Sequence, residues 1–209
     1  MAREYDAVIF DLLTGLIDSW TLWNDVAGDA EAGTRWRHRY LRLTYDTGDY
    51  VPYEDLVRQA ARESGLGETT GDALIARWSE LEPWPEAKAV LAALKESVPI
   101  AVVTNCSNRL GEIAVGRTDT DYDVVVIAER AGAYKPDPRP YRLALDELGV
   151  APERALFVAG SPFDVGGAGR MGMPVFWHNK AGLAHPEDGM DALIAEEPSL
   201  DPLLNLVRP

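Results

Sequence analysis

A Rossmann-like α/β fold, with a parallel sheet core and a helical cap inserted after the first strand, is predicted by three features of this chain. Short, unbroken apolar runs recur along it, each closing on small or polar residues. Segments with apolar residues at three- and four-residue spacing alternate with them. Between the first apolar run and the next lies a long stretch, 19–83, with no strand-like block. Unbroken apolar runs belong to strands buried on both faces, and helices on both sides of a parallel sheet provide that burial.

The elements follow in order. The first strand is Ala7 to Asp11, and the stretch from about Ser19 to the turn Glu82-Pro83-Trp84-Pro85 reads as mostly helical. Glu86 to Leu94 carries a helical pattern, and the second strand, Ile100 to Val103, ends in Thr104-Asn105. Ser107 is placed to cap a following helix through its hydroxyl. The third strand is Val124 to Ile127. A helix from Tyr141 to Leu148 stops at Gly149, the residue type suited to a left-handed C-terminal turn. The fourth and fifth strands are Ala155 to Val158 and Val175 to Trp177. The expected division is therefore 1–18 with 84–209 as core and 19–83 as cap. The acidic stretch from Glu187 to Asp201 reads as solvated surface.

Composition narrows the function. At 209 residues, 46% hydrophobic and 26% charged, the chain can bury a sizeable core. A net charge of −14 argues against nucleic acid or an anionic membrane as partner. It also means that an anionic substrate needs a local cationic pocket. The single cysteine, Cys106, fits a reducing cytoplasm and reads as a small buried residue. Met1-Ala2-Arg3-Glu4-Tyr5-Asp6 turns straight into a strand, so no secretory signal is expected. No His/Cys/Asp spacing suggests zinc.

In a parallel sheet the carboxyl ends of the strands converge on one crevice. Asp11, Thr104-Asn105, Lys135 on the loop after the third strand, and Gly160-Ser161 with Asp164 all fall on that rim. The set contains a carboxylate nucleophile, hydroxyl and backbone donors, a cation and a second carboxylate, which suits covalent two-step hydrolysis.

Phe10-Asp11-Leu12-Leu13-Thr14-Gly15-Leu16, Val103-Thr104-Asn105, Tyr134-Lys135-Pro136-Asp137 and Phe157-Val158-Ala159-Gly160-Ser161-Pro162-Phe163-Asp164 resemble, in order and spacing, the motifs of the haloacid dehalogenase (HAD-like) superfamily. The resemblance spans nearly the whole chain. It implies a nucleophile at Asp11, a hydroxyl at Thr104, a lysine at Lys135 and an acid at Asp164. Magnesium-dependent phosphatases of the superfamily carry an aspartate two residues after the nucleophile and another four residues before the last acid. Here those positions are Leu13 and Gly160. Mg²⁺ is usually held through carboxylates, and Gly160 has none to offer. The metal-free L-2-haloacid dehalogenase branch fits better. Trp36-Arg37, Tyr134-Lys135-Pro136-Asp137 with Tyr141, and Phe176-Trp177-His178-Asn179-Lys180 are similar to its segments. The chain departs from that branch at Leu13, at the reversed pair Thr14-Gly15, and at Ser161.

The expected reaction displaces a leaving group from the carbon next to a carboxylate, through an aspartyl ester on Asp11. Lys135 keeps Asp11 ionised. The substrate carboxylate sits on the amides after the second strand, near Thr104-Asn105, at a helix N-terminus suited to anions, with Leu12, Leu13, Ser161 and Tyr141 as further substrate-binding residues. Arg37 reaches the anion or leaving group from the cap, and Asp164 activates water. Trp20, Trp23 and Trp36 are candidates to exclude solvent, although tryptophans are more often core. Arg37 lies among Arg35, Arg39 and Arg42, so its alternative reading is an exposed charged face. His38 and His178 read as surface or supporting groups. No cofactor is expected, Mg²⁺ entering only under a phosphatase reading. The alternatives are ring opening of azetidine-2-carboxylate by the same chemistry, a magnesium-dependent phosphatase, and a non-catalytic binding protein. Related enzymes are often homodimers, which makes a second copy the partner to consider beside a small carboxylate.

Overall fold

The structure, a computed structural model, describes residues 4–185 and 189–207. Met1 to Arg3, and Glu187 and Asp188 of the acidic stretch, lie outside the described residues. The chain opens with β1 (Ala7–Phe10) and β2 (Ile17–Asp18), then enters four helices: α1 (Ser19–Ala27), α2 (Ala30–Thr47), α3 (Tyr53–Glu63) and α4 (Glu68–Ala76). It returns through β3 (Glu82–Pro83), α5 (Ala87–Lys95), β4 (Ile100–Thr104), α6 (Asn108–Arg117), β5 (Val124–Ile127), α7 (Ala128–Ala131) and α8 (Pro138–Leu148). The last elements are β6 (Ala155–Ala159), α9 (Pro162–Arg170), β7 (Val175–His178), β8 (Leu193–Glu197) and α10 (Leu203–Val207).

The sheet has six strands in the order β5-β4-β1-β6-β7-β8, and every pairing in it is parallel. This is the α/β architecture expected. β1 lies near the centre, between β4 and β6, and all four of its residues are buried. Alternation along it divides the core: Val8 and Phe10 pack into a cluster on one face, shared with the inserted helices, and Ile9 into a second cluster on the other. The C-terminal ends of β1, β4 and β6 therefore open on one rim.

The local signals act as expected. Ser107 caps α6, and Gly149 ends α8 in the left-handed conformation at φ +67°. α8 begins at Pro138, three residues before the expected start, because Asp137 accepts from the Arg139 amide and a proline occupies the first helical position. β8 was not expected. It is an edge strand within the acidic stretch read as solvated surface, and its residues alternate between half-buried and exposed. β2 and β3 form a two-residue antiparallel ribbon that closes the neck of the inserted helices. No helix among the described residues is long and apolar enough to cross a membrane.

Candidate active site

Asp11 follows the last residue of β1 and turns its carboxylate back over the loop that leaves it. Oδ2 accepts three hydrogen bonds: from Thr14 N–H at 3.0 Å, Thr14 Oγ1 at 2.7 Å and Gly15 N–H at 2.9 Å. Oδ1 accepts from Lys135 Nζ at 2.8 Å. The same ammonium lies 2.8 Å from Asp164 Oδ1. One buried cation thus bridges two buried carboxylates from three distant segments.

The electrostatics separate the two acids. Burial alone pushes the Asp11 carboxyl up, but the Lys135 charge and the hydrogen bonds from Lys135, Thr14 and Gly15 outweigh it and hold Asp11 below the ordinary range. Burial also pushes Asp164 up. The repelling charge of Asp11 adds to this, and Lys135 and Ser161 do not cancel it, so Asp164 stays above the ordinary range. Burial lowers Lys135, yet its two carboxylates more than restore it. A pair of acids driven apart in this way supplies one group for attack and one for proton transfer.

Supporting contacts fix these groups. Asn105 clasps the lysine loop: its Nδ2 donates to Lys135 O at 3.0 Å, and its Oδ1 accepts from Lys135 N–H at 2.7 Å. Tyr40 of α2 donates to Asn105 O at 3.2 Å. The link between α2 and α3 pairs with the same loop through Tyr50 N–H to Gly132 O and Tyr134 N–H to Gly48 O, both 3.0 Å. Ser161 caps α9 and donates its hydroxyl to Asp164 Oδ2 at 2.9 Å.

A cavity of about 30 Å³ lies over this triad, lined by Asp11, Leu13, Thr14, Arg37, Tyr40, Leu41, Tyr45, Asn105, Lys135, Ser161 and Asp164. Arg37 is buried, not part of an exposed charged face. Its guanidinium lies over the rings of Trp20 at 4.7 Å and Trp23 at 5.1 Å, and its Nε and Nη1 have no hydrogen-bond partner among the described residues. Burial lowers its affinity for the proton. Buried, unpartnered donors on a cation mark a place for an anion.

Several expected site residues lie elsewhere. Leu12 is in the core. Thr104 and Tyr141 are buried and do not line the cavity, and their hydroxyls have no partner among the described residues. The N-terminus of α6, expected to receive a carboxylate, is already engaged. The Asn108 amide donates to Glu129 Oε2 at 2.6 Å, and Ser107 Oγ donates to Glu54 at 3.0 Å. Two acidic side chains there repel an anion. The tryptophans are core or support: Trp23 and Trp36 are fully buried, and the aromatic walls are Tyr40 and Tyr45 instead. Sequence reasoning missed both tyrosines and Thr14. Tyr45 packs on Phe163 at 4.0 Å between ring centroids, beside Asp164.

Gly160 has a steric reason to be glycine. A Cβ there would lie 2.2 Å from Gly15 N and 2.3 Å from Thr14 Oγ1, inside the cradle that holds Asp11. The position can carry no carboxylate while that cradle stands.

Comparison with known proteins agrees with this geometry. A family model described as haloacid dehalogenase-like hydrolase matches residues 5–172. An (S)-2-haloacid dehalogenase, H-109, of Pseudomonas putida is 31% identical over 90% of this chain and 91% of its own. The haloacetate dehalogenase H-2 of Moraxella sp. (strain B) is 28% identical over 98% of this chain and 99% of its own. A solved L-2-haloacid dehalogenase superposes with a TM-score of 0.85 at 28% identity, over 99% of this chain and 100% of that one. By the extent of these matches, and by the segments that build the site, the chain belongs to the haloacid dehalogenase-like hydrolase family.

Proposed function

We propose that this protein hydrolyses small 2-halocarboxylic acids without a metal ion, through an ester formed on Asp11, with the inserted helices 19–83 acting as a cap over the site. One observation carries the reading: an ionised carboxylate with one oxygen held by three donors and the other by a lysine shared with a second acid. Leu13 and Gly160, where magnesium-dependent relatives place carboxylates, support the metal-free form. Names and structures of relatives support it too, including a dehalogenase, 26% identical, solved with an intermediate complex.

The geometry suggests a role for each atom. Oδ1, with one donor, is the freer oxygen and attacks the carbon that bears the leaving group. The C–X bond breaks and the halide leaves with its electron pair. Arg37, with two open donors, receives that halide or the substrate carboxylate. Asp11 is then an ester whose carbonyl oxygen is Oδ2. Water, deprotonated by Asp164, attacks Cγ and places a negative charge on Oδ2, where Thr14 and Gly15 already donate. Collapse breaks the Cγ–Oδ1 bond and releases the 2-hydroxy acid, its alkoxide taking a proton. The cavity over the triad is small, about 30 Å³, which favours small acids over bulky ones.

The test is incubation with EDTA present and a panel containing L-2-chloropropionate, haloacetates, L-azetidine-2-carboxylate and a generic phosphate ester. Halide release by wild type and none by Asp11→Asn is the expected result. Turnover of the phosphate ester alone, restored by Mg²⁺, would overturn the proposal.

A further inference from the structure

We propose that Ser19 and Trp84, at the two ends of the helical insertion, are positioning residues for hydrolysis of the Asp11 ester. They act through the two peptide groups that hold Oδ2, and this rests on the dehalogenase reading above. The amide that joins Leu13 to Thr14 gives one N–H to Oδ2, and the amide that joins Thr14 to Gly15 gives the next. The carbonyl of each of these same amides accepts from a side chain. Ser19 Oγ donates to Leu13 O, and Trp84 Nε1–H donates to Thr14 O at 3.0 Å. Each donor that faces Asp11 is therefore the far end of a two-bond chain: side chain to C=O, then N–H to Oδ2. Hydrogen bonds in series polarise one another, so a bound carbonyl makes its own N–H a stronger donor and fixes the plane of the peptide.

The neck of the insertion delivers both side chains. The ribbon pairs Asp18 with Glu82 and Ile17 with Pro83. Ser19 is the residue after one strand and Trp84 the residue after the other. Ser19 is fully buried, so its hydroxyl is held in place. The Trp84 backbone N–H also donates to Leu16 O at 2.9 Å, and His178 Nδ1 lies 2.8 Å from Gly15 O, which pins the rest of the turn.

The two half-reactions respond with opposite sign. In the first, Asp11 gives up its charge to the new C–O bond, so stronger donors on Oδ2 hold the nucleophile back. In the second, charge returns to Oδ2 as water adds to Cγ, and the same donors stabilise it. A purely structural contact would not split the reaction in this way.

The experiment is single-turnover rapid quench with L-2-chloropropionate on wild type, Ser19→Ala and Trp84→Phe. The ester-bearing protein is counted by intact mass, and folding is checked by circular dichroism. Trp84→Phe keeps an aromatic ring at the position and removes the indole N–H, so it decides the matter if Ser19→Ala fails to fold. Ester formation should be unchanged or faster, and breakdown slower by about tenfold, so that ester accumulates during turnover. Equal losses in both rates, or no change in either, would overturn the inference. If wild type forms no ester from any 2-substituted acid, the dehalogenase reading falls and this inference with it.

Discussion

Replacing Lys135 with methionine tests the electrostatic core of the site. Methionine has similar length and no charge. It leaves Asp11 and Asp164, each 2.8 Å from the lost ammonium and nearly inaccessible, facing one another with no cation between them. Removing one partner of a buried ion pair costs about 3–5 kcal/mol. Here one change strips two carboxylates, so the loss belongs at the upper end of that range, limited only by proton uptake. That limit gives the loss a pH dependence of definite sign. Without Lys135, both carboxyls have folded pKa values above their unfolded value of about 4. An acid raised in this way contributes stability below its unfolded pKa and loses it as the pH climbs through the folded pKa. The variant should therefore gain stability relative to wild type as pH falls from 7 toward 5. Urea unfolding followed by tryptophan fluorescence at pH 5, 6 and 7 reads this directly. A loss below about 1 kcal/mol at pH 7, or one that does not change with pH, would refute the picture of two carboxylates sharing one buried cation.

Two other outcomes follow from the same geometry. Gly160→Ala puts a Cβ 2.2 Å from Gly15 N, where backbone must move, so ester hydrolysis should fall on the order of a hundredfold. Gly160→Asp should fail to confer Mg²⁺-dependent phosphatase activity, and activity within about twofold of wild type in Gly160→Ala would contradict the close approach. Alkylation should persist in acid, because Lys135, Thr14 and Gly15 hold Asp11 below the ordinary 3.8. As pH falls below neutrality, quenched mass spectra should show the ester forming at an undiminished rate in mildly acidic buffer. Loss of ester formation there would refute a lowered Asp11.

The five expected strands were legible because each is a continuous apolar run, and burial on both faces demands such a run. β8 was not, because Leu193-Ile194-Ala195-Glu196-Glu197 is an edge strand with only part of one face covered. Its glutamates read as surface, and charge on an exposed edge is what keeps such strands from pairing with other chains. A ribbon as short as β2–β3 leaves no periodic signal at all. In the site, Asp11, Lys135, Ser161 and Asp164 stood out through their place after strands and their spacing. Tyr40 and Tyr45 did not, since a tyrosine on a helix has the same local signature whether it faces core, solvent or cavity. For Arg37, the Trp36-Arg37 pair pointed to the site while the arginines around it left an exposed face as the alternative, and burial against two tryptophans rules that face out.

The departures from the related enzymes acquire a physical meaning once the turn after β1 is seen in three dimensions. Thr14-Gly15 reads as a reversal of the usual Gly-Thr, and a reversal suggests decay. Yet Thr14 delivers both its amide and its hydroxyl to Asp11 Oδ2, and Gly15 adds a third donor. The reverse order does not fit this turn, because a Cβ at position 15 would lie 2.4 Å from the Asp11 carbonyl oxygen. Gly160 completes the arrangement by leaving room for the Thr14 hydroxyl. Leu13 belongs to the same logic: it lines the cavity with an apolar side chain where a metal-dependent relative needs a carboxylate. A third carboxylate beside Asp11 and Asp164 would compete for Lys135 and raise the pKa of Asp11. A chain that had lost its chemistry would have no reason to keep three donors on one carboxylate oxygen and a buried lysine on the other. The substitutions at positions 13, 14, 15 and 160 are mutually consistent solutions for holding one ionised aspartate without a metal.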